Sequence, residues 1–161
     1  MPSDMRAVDI DFLATAPFRF VFTSQIARPP ERVFEAIAEH PESWGDWYPG
    51  FDHSGRWLTT DPPAAGSRRA VRMARVTYEE TILAWEPSER FAFRVDRAAT
   101  PIAYALAEDY RISPHPAGST LEWTFAVDPR AVLKPAMRVA RPLMARLFRT
   151  TSSRLEKYLT A

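Results

Sequence analysis

Arg69, Glu80 and Glu108, with Tyr78 and Tyr110, are the residues whose types and spacing offer chemistry. A carboxylate moved out of water rises toward a neutral pKa and can take a proton, while an arginine or a tyrosine hydroxyl beside it can hold a developing enolate oxygen. Together they suit removal of an acidic α-proton, and with it aldol ring closure or dehydration. His53 is a weaker candidate base. The chain has no cysteine, which excludes disulfides, thiol catalysis and Cys-ligated metals. His40, His53 and His115 lie far apart without metal-ligand spacing, and neither a phosphate loop nor a nucleic-acid motif is evident, so no metal, cofactor or nucleic acid is expected.

Strands must place these groups. "FRFVFTSQIA" (18–27) alternates, and after it come "HSGRWLTT", "SRRAVRM", "RVTYEETILAW", "RFAFRV", "YALAEDYRI" and "STLEWTFAV", separated by Pro-, Gly- and Ser-rich links. Short links between successive strands predict an antiparallel sheet of seven strands. Alternate residues share a face. The apolar face carries Leu121, Trp123, Phe125 and Val127; Phe91, Phe93 and Val95; Tyr104, Leu106, Tyr110 and Ile112; and Val76, Tyr78, Ile82 and Ala84. Glu108 and Glu80 are carried in with these sets, Arg69 with Val71 and Met73, and His53 with Trp57. If Ala74-Arg75 is a two-residue turn, Arg69 faces Glu80 and Val71 faces Tyr78. "EPSE" as a four-residue link pairs Trp85 with Arg90 and Ile82 with Phe93. An unpaired charge on such a face costs several kcal/mol, so Arg69 is expected to pair with Glu80 or Glu108, or to reach water or ligand. A purely structural ion pair is the simpler role for it.

"RPPERVFEAIAEH" reads as a helix begun by Pro30 and ended by Pro41, with a second short helix around 42–48. Between His40 and Phe51, "HPESWGDWYPGF" packs Trp44, Trp47, Tyr48 and Phe51 into a stretch broken by Pro and Gly. From Asp128 the period becomes helical: Met137, Ala140, Met144, Leu147, Thr151, Leu155 and Tyr158 share one side. The pattern predicts a helix of roughly 25 to 30 residues bent by Pro142, or two shorter ones meeting near Arg141.

At 161 residues the chain suits one domain, residues 18–161, preceded by a loosely held arm over 1–17 in which Ile10, Phe12 and Leu13 could dock. No apolar run could span a bilayer, and acids stand where a signal peptide needs a basic start, so a cytoplasmic location is expected. Net charge is only +1, yet from Arg130 onward there are eight Lys or Arg against one acid. That basic helix could contact a membrane surface, or its solvent face is simply Arg-rich.

The order strand, two helices, six strands, long helix, with "PPERVFEAI", the Trp-Tyr-Pro cluster, "WEPSERFAFRV" and "GSTLEWTF", resembles the START-like helix-grip (SRPBCC) superfamily, in its polyketide cyclase/dehydrase branch. The resemblance implies an α+β helix-grip fold: a curved seven-stranded antiparallel sheet around a long C-terminal helix, two short helices between strands 1 and 2, and an apolar cavity between sheet and helix. The ligand wall would then comprise Trp44, Trp47, Tyr48, Phe51, Trp57, Val71, Tyr78, Phe93, Leu106, Tyr110, Trp123, Phe125, Met137, Met144 and Leu147. Three functions remain open on this reading. The first is binding of a hydrophobic small molecule such as a lipid, polyketide or isoprenoid. The second is a cyclase or dehydratase with a carboxylate base and Arg or Tyr donors. The third is a non-catalytic interaction module whose cavity is filled. Cavity volume separates the third from the others.

Overall fold

Described over residues 2–161 by a computed structural model, the chain forms one antiparallel sheet wrapped against a C-terminal helix. In chain order the elements are β1 (Ser3–Asp4), α1 (Phe12–Thr15), β2 (Phe18–Ile26), α2 (Pro30–Phe34) with a π turn after it (Glu35–Glu39), a 3-10 turn (Pro41–Ser43) and α3 (Trp44–Trp47). β3 (Arg56–Trp57), β4 (Arg68–Met73), β5 (Val76–Glu86), β6 (Arg90–Ala98), β7 (Ala103–His115) and β8 (Gly118–Pro129) follow. A 3-10 turn (Ala131–Leu133), α4 (Lys134–Val139) and α5 (Arg141–Thr160) end the chain. The sheet runs β2-β8-β7-β6-β5-β4-β3, and among the described residues no helix is long and apolar enough to cross a membrane.

The Ala74-Arg75 turn exists despite its chemistry. Both residues take left-handed backbone (φ 49° and 67°), the conformation a two-residue hairpin needs. Met73 therefore faces Val76, Val71 faces Tyr78 and Arg69 faces Glu80, as expected. At the next hairpin Ile82 does face Phe93, but a bulge between Ile82 and Ala84 shifts the count, so Trp85 meets Phe91 rather than Arg90. The bulge also turns Ala84 to the outer face and Trp85 to the inner one. A second irregularity between Ala103 and Ala105 turns Tyr104 out to solvent, under the Arg130 guanidinium, 4.3 Å from its ring centre. His53 is likewise exposed: the strand there shrinks to Arg56–Trp57, and His53 bonds Asp46 instead (2.9 Å).

The arm is not loosely held. β1 adds an eighth strand on the end of β6, and the next amides bridge the gap where β6 and β7 part: Met5 N–H donates to Asp96 O (2.8 Å) and Arg6 N–H to Tyr104 O (2.7 Å). Phe12 and Leu13 then lie buried against Ala84, Ala92, Ala105, Ala107 and Ala126 on the outer face. Alanines on the outward parity of four strands leave a shallow apolar floor, and α1 covers it.

The terminal helix is divided at Ala140, with Pro142 in the first turn of α5, where a missing N–H costs nothing. Phe148, Thr151, Ser152, Leu155 and Leu159 are its buried face, so Tyr158, expected inside, looks outward. A wheel run continuously across the break misplaces the last turns.

Leu13→Ala should destabilise the protein by about 2 to 5 kcal/mol in urea unfolding, the range for a buried leucine. A loss below about 0.5 kcal/mol, typical of a surface position, would mean the arm is dispensable.

Candidate functional site

Arg69 is wholly buried, and three strands and a helix are spent on it. Its Nε donates to Glu80 Oε2 at 2.6 Å, the cross-strand partner set by the β4–β5 register. The rings of Trp44, Phe91 and Phe93 lie 4.7 to 4.9 Å from the guanidinium carbon, while Nη1 and Nη2 have no hydrogen-bond partner. Such faces attract a cation, which compensates part of the missing hydration. This explains the aromatic loop. Trp44 is pinned by its indole N–H to Ile37 O (3.0 Å), stacks on Tyr48 at 5.4 Å and closes over Arg69. Gly45 lets the chain fold back, since a Cβ there would stand 2.7 Å from the Asp52 carbonyl carbon.

Glu108 sits one strand pair away, in a cross-strand row with Phe93 on β6 and Phe125 on β8. Tyr110 donates its hydroxyl to Glu108 Oε2 and Trp123 donates its indole N–H to the same oxygen, each at 2.8 Å. Among the described residues none donates to Oε1. Burial drives this carboxyl up from 4.5 to about 7, and the two donors and the distant Arg69 only partly offset it. Glu80 is also pushed up by burial, held back by Arg69. Tyr110 is raised well above 10 by burial and then by Glu108, so it remains a donor.

A cavity of about 130 Å³ opens beside these groups. Phe51, Tyr78, Phe93, Leu106 and Phe125, all anticipated, line it with Glu80 and Glu108; Met73, Val95 and Ile102 complete the wall. Val95 and Met73 follow from strand parity, whereas Ile102 lies in a link that carries no period. The other expected wall residues do not reach it. Trp44, Trp47 and Tyr48 are core over Arg69, and Val71 is buried beside it on β4. Trp57 leans on Trp85, with ring centres 5.9 Å apart. Tyr110 and Trp123 are drawn to Glu108, and Trp123 stacks on Phe148 of α5, which leaves a void of only about 10 Å³ at that end. Met137, Met144 and Leu147 are half-buried against the core without touching the cavity. Arg69, shut behind its rings, is not a cavity donor. Ligand pockets commonly hold about 300 to 1,000 Å³, so this one takes a compact guest or one end of a longer one. A larger hollow of about 490 Å³ is an open groove among Glu86, Glu89, Arg90 and Arg111, away from these carboxylates. No cluster of three or more His, Asp or Glu suited to a metal occurs among the described residues.

The pattern of a family described as "Polyketide cyclase / dehydrase and lipid transport" matches residues 17–160. Uncharacterised proteins of Mycobacterium tuberculosis and Mycobacterium bovis are 35% identical over 155 residues, covering 96% of this chain and 92% of theirs. Among solved structures, Ara h 8.0201 superposes with a TM-score of 0.68 at 14% identity, over 88% of this chain and 97% of its own. A Chromobacterium violaceum protein does so with a TM-score of 0.65 at 17% identity, over 90% and 99%. These two likenesses concern the fold.

Removing one partner of the buried pair strands the other. Glu80→Ala is expected to cost about 3 to 5 kcal/mol, and Arg69→Met with Glu80→Leu to recover most of it; equal losses for single and double variants would contradict a compensated pair. For Glu108 the folded chain holds a proton between pH 4.5 and about 7 that the unfolded chain has released. Stability should therefore fall as pH rises through that window, by up to about 3 kcal/mol. Glu108→Gln, which keeps an oxygen for both donors, should flatten the slope in urea titrations at stepped pH; an unchanged slope would place the titration elsewhere.

Proposed function

The chain belongs to the polyketide cyclase/dehydrase and lipid transport family, with its START-like helix-grip fold, and from that premise we propose that it binds a hydrophobic small molecule through one uncharged polar group held at Glu108. The observation that carries this reading is an apolar cavity with two carboxyls on its wall, of which Glu80 is paired with Arg69 and Glu108 is met only by neutral donors on a single oxygen. Oε2 is committed to Tyr110 and Trp123. Oε1, when ionised, accepts from a hydroxyl; when protonated, it donates to a carbonyl. A ligand carboxylate would meet Glu108 and Glu80 together in a low-dielectric site, which works against fatty acids. A neutral alcohol or ketone of polyketide or lipid type fits the family's description, and the cavity's size favours a compact one or the end of a chain.

One observation favours catalysis as a second reading. A carboxyl near pKa 7 facing an apolar cavity suits a general base, and the Tyr78 hydroxyl on the same wall could serve the developing oxyanion. In this reading Glu108 takes the α-proton of a bound ketone and Arg69 has no part, since its guanidinium is enclosed.

Displacement of N-phenyl-1-naphthylamine tests the binding reading. At pH 8, where Glu108 is mostly ionised, 1-octanol should displace the dye and octanoate should not, 2-octanone should displace it better at pH 6 than at pH 8, and Leu106→Trp, which narrows the cavity, should bind dye weakly. No dye uptake, or full uptake by Leu106→Trp, would refute the cavity as the site. For the second reading, exchange of the α-protons of 2-octanone with D₂O, followed by NMR, should rise with pH around 7 and disappear in Glu108→Gln. Identical exchange in both proteins would remove catalysis from consideration.

A further inference from the structure

The segment joining sheet and terminal helix leaves large aliphatic side chains bare. Val132 is 83% exposed, Val139 75% and Leu143 73%. Val139 and Leu143 stand one turn apart on one helical face, and Arg146 follows a turn later on that face. Lys134, Arg138 and Arg149 are exposed around it and, like Arg146, have no ion-pair partner among the described residues. From Arg130 to Leu155 there are seven Lys or Arg and no acid. Of these, Arg130 and Arg141 are engaged with the sheet, their guanidinium carbons 4.3 Å from the Tyr104 and 5.0 Å from the Phe22 ring centre.

A helix that merely faces water hides its aliphatics and mixes its charges. This one does neither. Self-association through the patch would bring like charges face to face in a two-fold interface, which disfavours a second copy as its cover. A surface that is greasy at its depth and anionic at its rim satisfies both features.

We propose that α4 and the first turns of α5 dock on an anionic lipid surface. Val132, Val139 and Leu143 enter the headgroup layer, and Lys134, Arg138, Arg146 and Arg149 meet the phosphates. The docking surface adjoins the cavity: Arg130 N–H, just before the 3-10 turn, donates to the carbonyl of the cavity-lining Ile102 (3.3 Å). The proposal stands independently of what the cavity holds.

Co-sedimentation tests it with vesicles of phosphatidylcholine alone and of phosphatidylcholine mixed with phosphatidylglycerol. The protein should bind the mixed vesicles, bind neutral ones poorly, and come off as salt is raised. Arg138→Glu with Arg146→Glu should weaken binding by at least about tenfold, given roughly fivefold per basic residue near such a surface. Val139→Asp with Leu143→Asp should abolish it. Both pairs lie on the surface, and unchanged thermal unfolding would verify that they fold. Failure to bind the mixed vesicles, or wild-type binding by Val139→Asp/Leu143→Asp, would overturn the proposal. So would a dimer in light scattering that Leu143→Asp alone dissociates, since the cover would then be a second copy.

Discussion

The buried pair of Arg69 and Glu80 constrains the rest of the molecule. An arginine without solvent contact is tolerated only if its charge is met, and here a carboxylate at 2.6 Å and three aromatic faces meet it. The β4–β5 register supplies the carboxylate, and the helical link after β2 supplies Trp44. Aromatic mass that could have lined a wide cavity is used instead to enclose a cation. The inner space is therefore small, and its polar character is set by what Arg69 does not neutralise.

That remainder is Glu108. Glu80 has its cation, whereas Glu108 has two neutral donors on a single oxygen, so burial dominates and the carboxyl rises to about 7. Glu108 is thus the carboxyl on the cavity wall whose charge no cation meets. The two functional readings differ only in what Glu108 does with a proton: it exchanges a hydrogen bond with a bound guest, or it removes a proton from one. Neither requires Arg69, the donor that sequence reasoning would have ranked with the tyrosines. Burial, which made that arginine conspicuous, also takes it out of the chemistry.

Much of this was legible before any coordinates. Short links gave an antiparallel sheet, strand alternation gave the inward turn of Glu80, Glu108, Tyr78 and Phe93, and the two-residue turn gave the Arg69–Glu80 register although Ala-Arg is poor turn chemistry. The misses have physical causes. Bulges have no periodic signature, so Ala84, Trp85 and Tyr104 were assigned to the wrong faces. A two-residue strand shows no alternation, which hid β1. Trp44 and Trp47 were expected at a ligand because a loop rich in rings does not reveal what lies beneath it; the buried cation two elements away was the missing fact. Ile102 reaches the cavity from a link, where parity says nothing.

Carbon-13 NMR titration of the glutamate side-chain carboxyls tests most directly whether one uncompensated carboxylate governs the hollow. We expect one carboxyl to titrate near neutral pH, to be assigned to Glu108 by its loss in Glu108→Gln, and to shift when an apolar alcohol is added. A Glu108 carboxyl that titrates in the ordinary acidic range, indifferent to such a guest, would contradict the account.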